Sequence, residues 1–182
     1  MHYKNLKKMD EDKINEWMRK VKESKNGDVD LSRDEDLSIA IMNLISLEEH
    51  FYFTAMKTNN EKYLDFLNSI RELRKSLLKK IVVNPVGEEW CISKHLLASS
   101  MRLIEVGTKE LSKGNKAEAN FFFKSAFQLY SLFFGINLKM VEVKELKDEI
   151  KIGNDVKAGS KENGIMEKFS MVVKKIVDCC KE

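Results

Sequence analysis

The chain has little of what interrupts helices. Among 182 residues there is a single proline, Pro85, and only eight glycines, so few points force a helix to stop and few positions take left-handed turns freely. The three cysteines, Cys91, Cys179 and Cys180, are an odd number without C-x-x-C spacing. That argues against a disulfide framework and a structural zinc module, and fits reduced thiols in a cytosol. The first residues, MHYKNLKKMDEDK, lack an apolar signal core, and no apolar run reaches the roughly 18–20 residues needed to span a bilayer. The expectation is a cytoplasmic protein without a membrane partner. A surplus of one charge is missing too: 32 basic residues stand against 29 acidic ones, with the signs interspersed and a net charge of +3. The modest strip of Arg71, Arg74, Lys75, Lys79 and Lys80 is interrupted by Leu77 and Leu78, so nucleic acid is not an expected partner.

What is there is helical periodicity. The length suits one domain with a full core. Ser32 to Met56 reads as a helix apolar on nearly every side: at 100° per residue Leu37, Ile41, Leu44, Glu48, Phe51 and Ala55 share one face, with Ile39, Met42 and Phe53 roughly opposite. Such a helix is expected to be surrounded. Ser32 and Glu35 form an S-x-x-E capping box at its start, and after a turn at residues 57–60, Asn60 is placed to cap a second helix. There Tyr63, Phe66, Leu67, Ile70, Leu73, Leu77 and Ile81 lie on one side, with Arg74 in the same sector and Arg71 at its edge. Pro85 ends that helix. A third helix from about Glu88 to Ser112 carries a ridge of Ser93, Ser100 and Gly107 at seven-residue spacing, which permits close approach, and opposite it a polar strip of Glu88, Cys91, His95, Arg102 and Glu105. Lys113-Gly114-Asn115 turns the chain into a fourth helix, Lys116 to Asn137, where Phe121, Phe122 and Phe123 point three ways. At least one of them must meet something outside the core.

The fold expected is therefore all-α: an antiparallel up-down four-helix bundle over residues 32–138, with amphipathic helices at both termini. Residues 1–31 read as an amphipathic helix, with Ile14, Trp17, Met18 and Val21 on one stripe, followed by a linker. Residues 139–182 read as a charged segment, a flexible linker and an amphipathic helix bearing Ile165, Phe169, Val172, Val173 and Ile176.

The costly residues are the polar ones on apolar faces. Glu48 interrupts the first core stripe, and Glu89 lies in the apolar sector of the third helix. A buried carboxylate must be paired, hydrogen-bonded or protonated. Ion pairs with Arg74, Arg71 or Arg102 are the preferred reading, fixing helix register; acid-base chemistry by the same carboxylates is the reactive one. A metal site is the other class. The residues at stake are Glu48, Glu49, His50, Glu89 and His95, with Glu88 and Cys91 on the helix face of His95, a donor set suited to iron or zinc. A ferritin-like dinuclear site would need Glu-x-x-His on two helices, and that motif is absent. No nucleophile motif or phosphate-binding glycine loop indicates a reaction, so no catalytic residue is assigned.

Leu103 to Tyr130 resembles one tetratricopeptide-type helical hairpin: Val106-Gly107, the Gly114-Asn115 turn, and Ala119, Phe123 and Ala126 match that repeat, which departs at Glu110. The longer pattern LEEHFYFTAMKT, GEEWCISKHLLASSMRLIEVGTKEL and LYSLFFGIN, within Asp36 to Leu138, is similar to uncharacterised small helical proteins of archaea and small-genome bacteria. That resemblance implies an all-α domain and no activity. The excess of apolar faces points to a non-enzymatic bundle that binds a protein partner or forms a homo-oligomer; the alternative is a metal-binding bundle.

Overall fold

The computed structural model describes residues 31–140, together with Asn15, Glu16 and Arg19, which are helical and exposed. The amphipathic segments expected at the two ends lie outside the described residues. The fold is an all-α four-helix bundle: α1 (Leu31–Thr58), α2 (Lys62–Ile81), α3 (Glu89–Ser112) and α4 (Lys116–Asn137). The chain forms two antiparallel hairpins, α1 with α2 and α3 with α4. The α3–α4 interface is the most extensive, and the contact of α1 with α3 that joins the hairpins is much narrower.

Local chemistry sets the turns. Asn60 Oδ1 accepts the Lys62 N–H at 3.1 Å and starts α2. Pro85 follows the end of α2, where Val82 N–H still donates to Leu78 O. Gly114 (φ 82°) closes α3: its N–H donates to Leu111 O and the Asn115 N–H to Glu110 O, the paired bonds of a Schellman end. The same pattern ends α4 with Lys139 N–H on Ile136 O and Met140 N–H on Gly135 O. Here the left-handed position is taken by Lys139 (φ 55°), a residue with a Cβ and hence a strained choice. Because α1 already includes Leu31, Ser32 lies inside the helix rather than at its cap.

The small-residue ridge explains the tight hairpin. Ser93, Ser100 and Gly107 are all buried, and α4 answers with Ala119 and Ala126 at the same seven-residue spacing, also buried. Ser100 Oγ donates to Ala126 O at 2.9 Å. A Cβ on Gly107 would stand 2.7 Å from the Phe123 ring, so the ring occupies the space that glycine leaves.

The core occupies one end of the bundle. Ile41, Leu78, Leu97, Phe133 and Ile136 are fully buried, with Met42, Ile81, Leu96 and Phe134 around them. These lie in the first half of α1 and α3 and the second half of α2 and α4, away from the two hairpin turns. The enclosure expected of α1 is only half realised: Met42 is buried, while Ile39 and Phe53 on the same side are exposed. The apolar residues of the helix outnumber the neighbours available to cover them.

Candidate functional site

Most of the buried polar groups come in satisfied sets. Glu48 on α1 is held by Arg74 of α2 in a forked contact, Nε to Oε1 at 2.8 Å and Nη2 to Oε2 at 3.3 Å. The arginine side chain is 4% exposed and the carboxylate 16%. Glu89 is buried and takes Lys139 Nζ at 2.5 Å and the Val86 N–H at 2.9 Å. The arginines expected to pair with it do not: Arg74 is engaged by Glu48 and Arg102 by Glu49. Burial pushes the Glu89 carboxyl up, but Lys139 and the Val86 N–H outweigh it and leave its pKa below the ordinary carboxylate value.

A second set links the hairpins through the core. Ser38 Oγ donates to Glu35 O at 2.6 Å, which uses its single proton. Tyr130 OH, 2.7 Å away, is therefore the donor to Ser38. Burial, together with the nearby Glu35 and Asp36 carboxylates, pushes the Tyr130 phenol up to about 12. Asn137 donates to Ser93 Oγ and to Phe133 O. Ser131 Oγ is buried without a partner.

The residues considered as metal ligands are dispersed among these sets. Glu48, Glu49 and Glu89 each face a different cation, and His50 and His95 are exposed, as are Glu88 and Cys91. Among the described residues no three His, Cys, Asp or Glu side chains form a group that could hold a metal ion.

What the hairpins do leave open is the seam between them. A groove of about 420 Å³ runs between α1 and α3, lined by Ile45, Ser46 and Glu49 on one side and Ala98, Ser99, Arg102 and Leu103 on the other. The Glu49–Arg102 ion pair crosses it. Continuing the stripe of Ile45 and Glu49 by the same helical spacing leads to Tyr52 and Met56, and continuing from Arg102 leads to Val106. Were α1 and α3 to stay together, these three would cover one another. Instead Tyr52 is 48% exposed, Met56 57% and Val106 38%, so the continuation of the stripe toward the hairpin tips is open to solvent.

The chain matches no protein-family model, no curated protein and no solved structure. The site therefore rests on its geometry.

This exposure is one part of a wider asymmetry. Among the described residues, nine of the thirteen large apolar side chains that are exposed fall in residues 52–66 and 104–121, the parts nearest the hairpin turns. Phe51, Tyr63 and Phe66 stack where α1 meets α2, with ring centroids 5.7–6.4 Å apart, and Phe66 remains exposed. On α4 it is Phe121 that faces outward, edge-on to Phe122 at 5.4 Å. Sequence reasoning passed over Tyr52, Met56 and Val106, although their spacing from Ile45, Glu49 and Arg102 was there to be seen. No described helix is long and apolar enough to cross a membrane.

Proposed function

We propose that the chain is a non-enzymatic helical bundle that works by docking a polypeptide at its hairpin-tip end. One observation carries this reading: the seam that joins α1 to α3 continues past the Glu49–Arg102 ion pair as an exposed apolar stripe of Tyr52, Met56 and Val106. A groove between helices that runs on into exposed aliphatic and aromatic side chains is a form that receives an amphipathic helix or a second hairpin, and Tyr, Phe and Met are enriched where protein interfaces are fully covered. The buried polar groups support the same reading. Glu48, Arg74 and Glu89 are engaged with one another or with Lys139, which is how residues that fix helix register are arranged.

A photo-cross-linking amino acid placed at Met56, with Lys80 on the exposed outer side of α2 as the comparison position, tests this in the cell of origin. One discrete protein adduct at position 56 and none at position 80 is the expected result. No adduct at either, or the same adducts at both, would overturn the reading.

A further inference from the structure

The chemistry of the tip end indicates what it docks. We propose that its occupant is a second copy of this chain, the two bundles meeting tip to tip about a two-fold axis; this rests on the tip end being the docking surface. The first observation is charge. Residues 52–66 carry Lys57 and Lys62 against Glu61 and Asp65, and residues 104–121 carry three lysines against Glu105, Glu110 and Glu118. Both tips are thus neutral with the signs interleaved. A two-fold interface sets the same patch against itself, so a patch with a net charge repels its own copy, whereas an interleaved neutral one can place each lysine near a carboxylate of the other chain. The core end of α2 has the opposite character: exposed Arg71, Lys79 and Lys80 with half-buried Lys75 are accompanied by one acidic residue, Glu72. Self-contact is disfavoured there and permitted at the tips.

The second observation is area. Each of the nine exposed apolar side chains at the tips is 38–57% exposed. Four of them are aromatic, Tyr52, Phe53, Phe66 and Phe121, at 48–55% exposed; for rings that bury about 150–250 Å² each, that leaves on the order of 300–500 Å² among the four, to which the five aliphatic side chains add. A standard interface needs about 800 Å² per partner, and the largest apolar patch of a typical monomer is about 300–600 Å². Those side chains lie on more than one side of each hairpin, so a flat contact would reach only part of them. Two ends that interdigitate reach more, with Tyr52 and Met56 of each copy packed against the tip helices of the other.

Sedimentation equilibrium of the full chain across a wide concentration range decides the matter. The expected result is reversible association between 21.1 kDa and twice that mass, weakened about tenfold or more by Met56→Glu and independently by Phe121→Glu. Both positions are exposed, so the folded monomer should survive, as circular dichroism would verify. Lys80→Glu should leave association unchanged. A chain that stays monomeric at every concentration overturns the proposal, as does a dimer indifferent to both tip variants. The two readings fail separately: a monomer that cross-links through position 56 to a different polypeptide removes the second copy and leaves the docking surface, whereas a monomer without any adduct removes both.

Discussion

The Glu48–Arg74 pair offers the sharpest test of how this fold is held. Arg74→Met removes the guanidinium and leaves a carboxylate that is only 16% exposed without its partner. Breaking a buried pair from one side costs about 3–5 kcal/mol. The strip of solvent that Glu48 retains places the expected loss at the low end, about 3 kcal/mol, or roughly 10 °C in Tm for a domain of this size. Glu48→Leu should cost at least as much, because it strands an arginine that is 4% exposed. The double variant Glu48→Leu/Arg74→Met replaces both charges with apolar groups of similar volume and should return to within about 1 kcal/mol of the parent, since two desolvated charges no longer need each other. Urea unfolding followed by circular dichroism, with the m-value held fixed across the set, measures all four corners of the cycle. An Arg74→Met cost below about 1 kcal/mol, or a double variant as damaging as the sum of its parts, would refute the idea that this pair is desolvated and mutually dependent.

Two further outcomes follow from the described contacts. Gly107→Ala should lose about 1 kcal/mol, the gain of roughly 0.8–1 kcal/mol in helix propensity being exceeded by the collision with the Phe123 ring; in a Phe123→Leu background the same change should turn neutral or stabilising in thermal melts. The pH profile should be shaped at both ends. Glu89 has a lowered pKa, so its stabilisation is present above the ordinary carboxylate range and is lost as pH falls through the folded value; Lys139→Met should flatten that acid loss. Tyr130 is raised to about 12, so its contribution is intact below about 10 and is lost as pH climbs toward 12, an alkaline loss that Tyr130→Phe should remove in denaturation curves taken along the pH scale.

Much of the frame was legible because periodicity carries it. Glu48 stands out as the one charge in the stripe of Leu37, Ile41, Leu44, Phe51 and Ala55, and Arg74 shares the sector of Ile70 and Leu77 on the next helix, so two adjacent helices bring them together. The ridge of Ser93, Ser100 and Gly107 likewise announces a close neighbour, which α4 supplies. The partner of Glu89 was not legible, because Lys139 reaches it only through a left-handed turn at the end of α4, a conformation that lysine does not signal. Nor was the exposure of the stripe beyond the seam. Tyr52 and Met56 have the spacing of core residues, and the pattern along one helix holds no information about whether a neighbour covers them. Glu49, His50 and His95, considered for a metal, sit on helices that do meet, but they are spread around the helix circumference and the Glu49 carboxylate is turned to Arg102.

The bond between Ser38 and Tyr130 joins the beginning of α1 to the later part of α4, so the four described helices begin and end at the packed end. Pulled at residues 31 and 140, those helices would be loaded in a peeling geometry: force would fall first on the Ser38–Tyr130 link and the buried layer around Phe133, and be passed on one helical turn at a time. Resistance to stretching would then be low even where resistance to heat is high. A copy seated at the opposite end would lie off the line of force and be released only after the packed end had come apart.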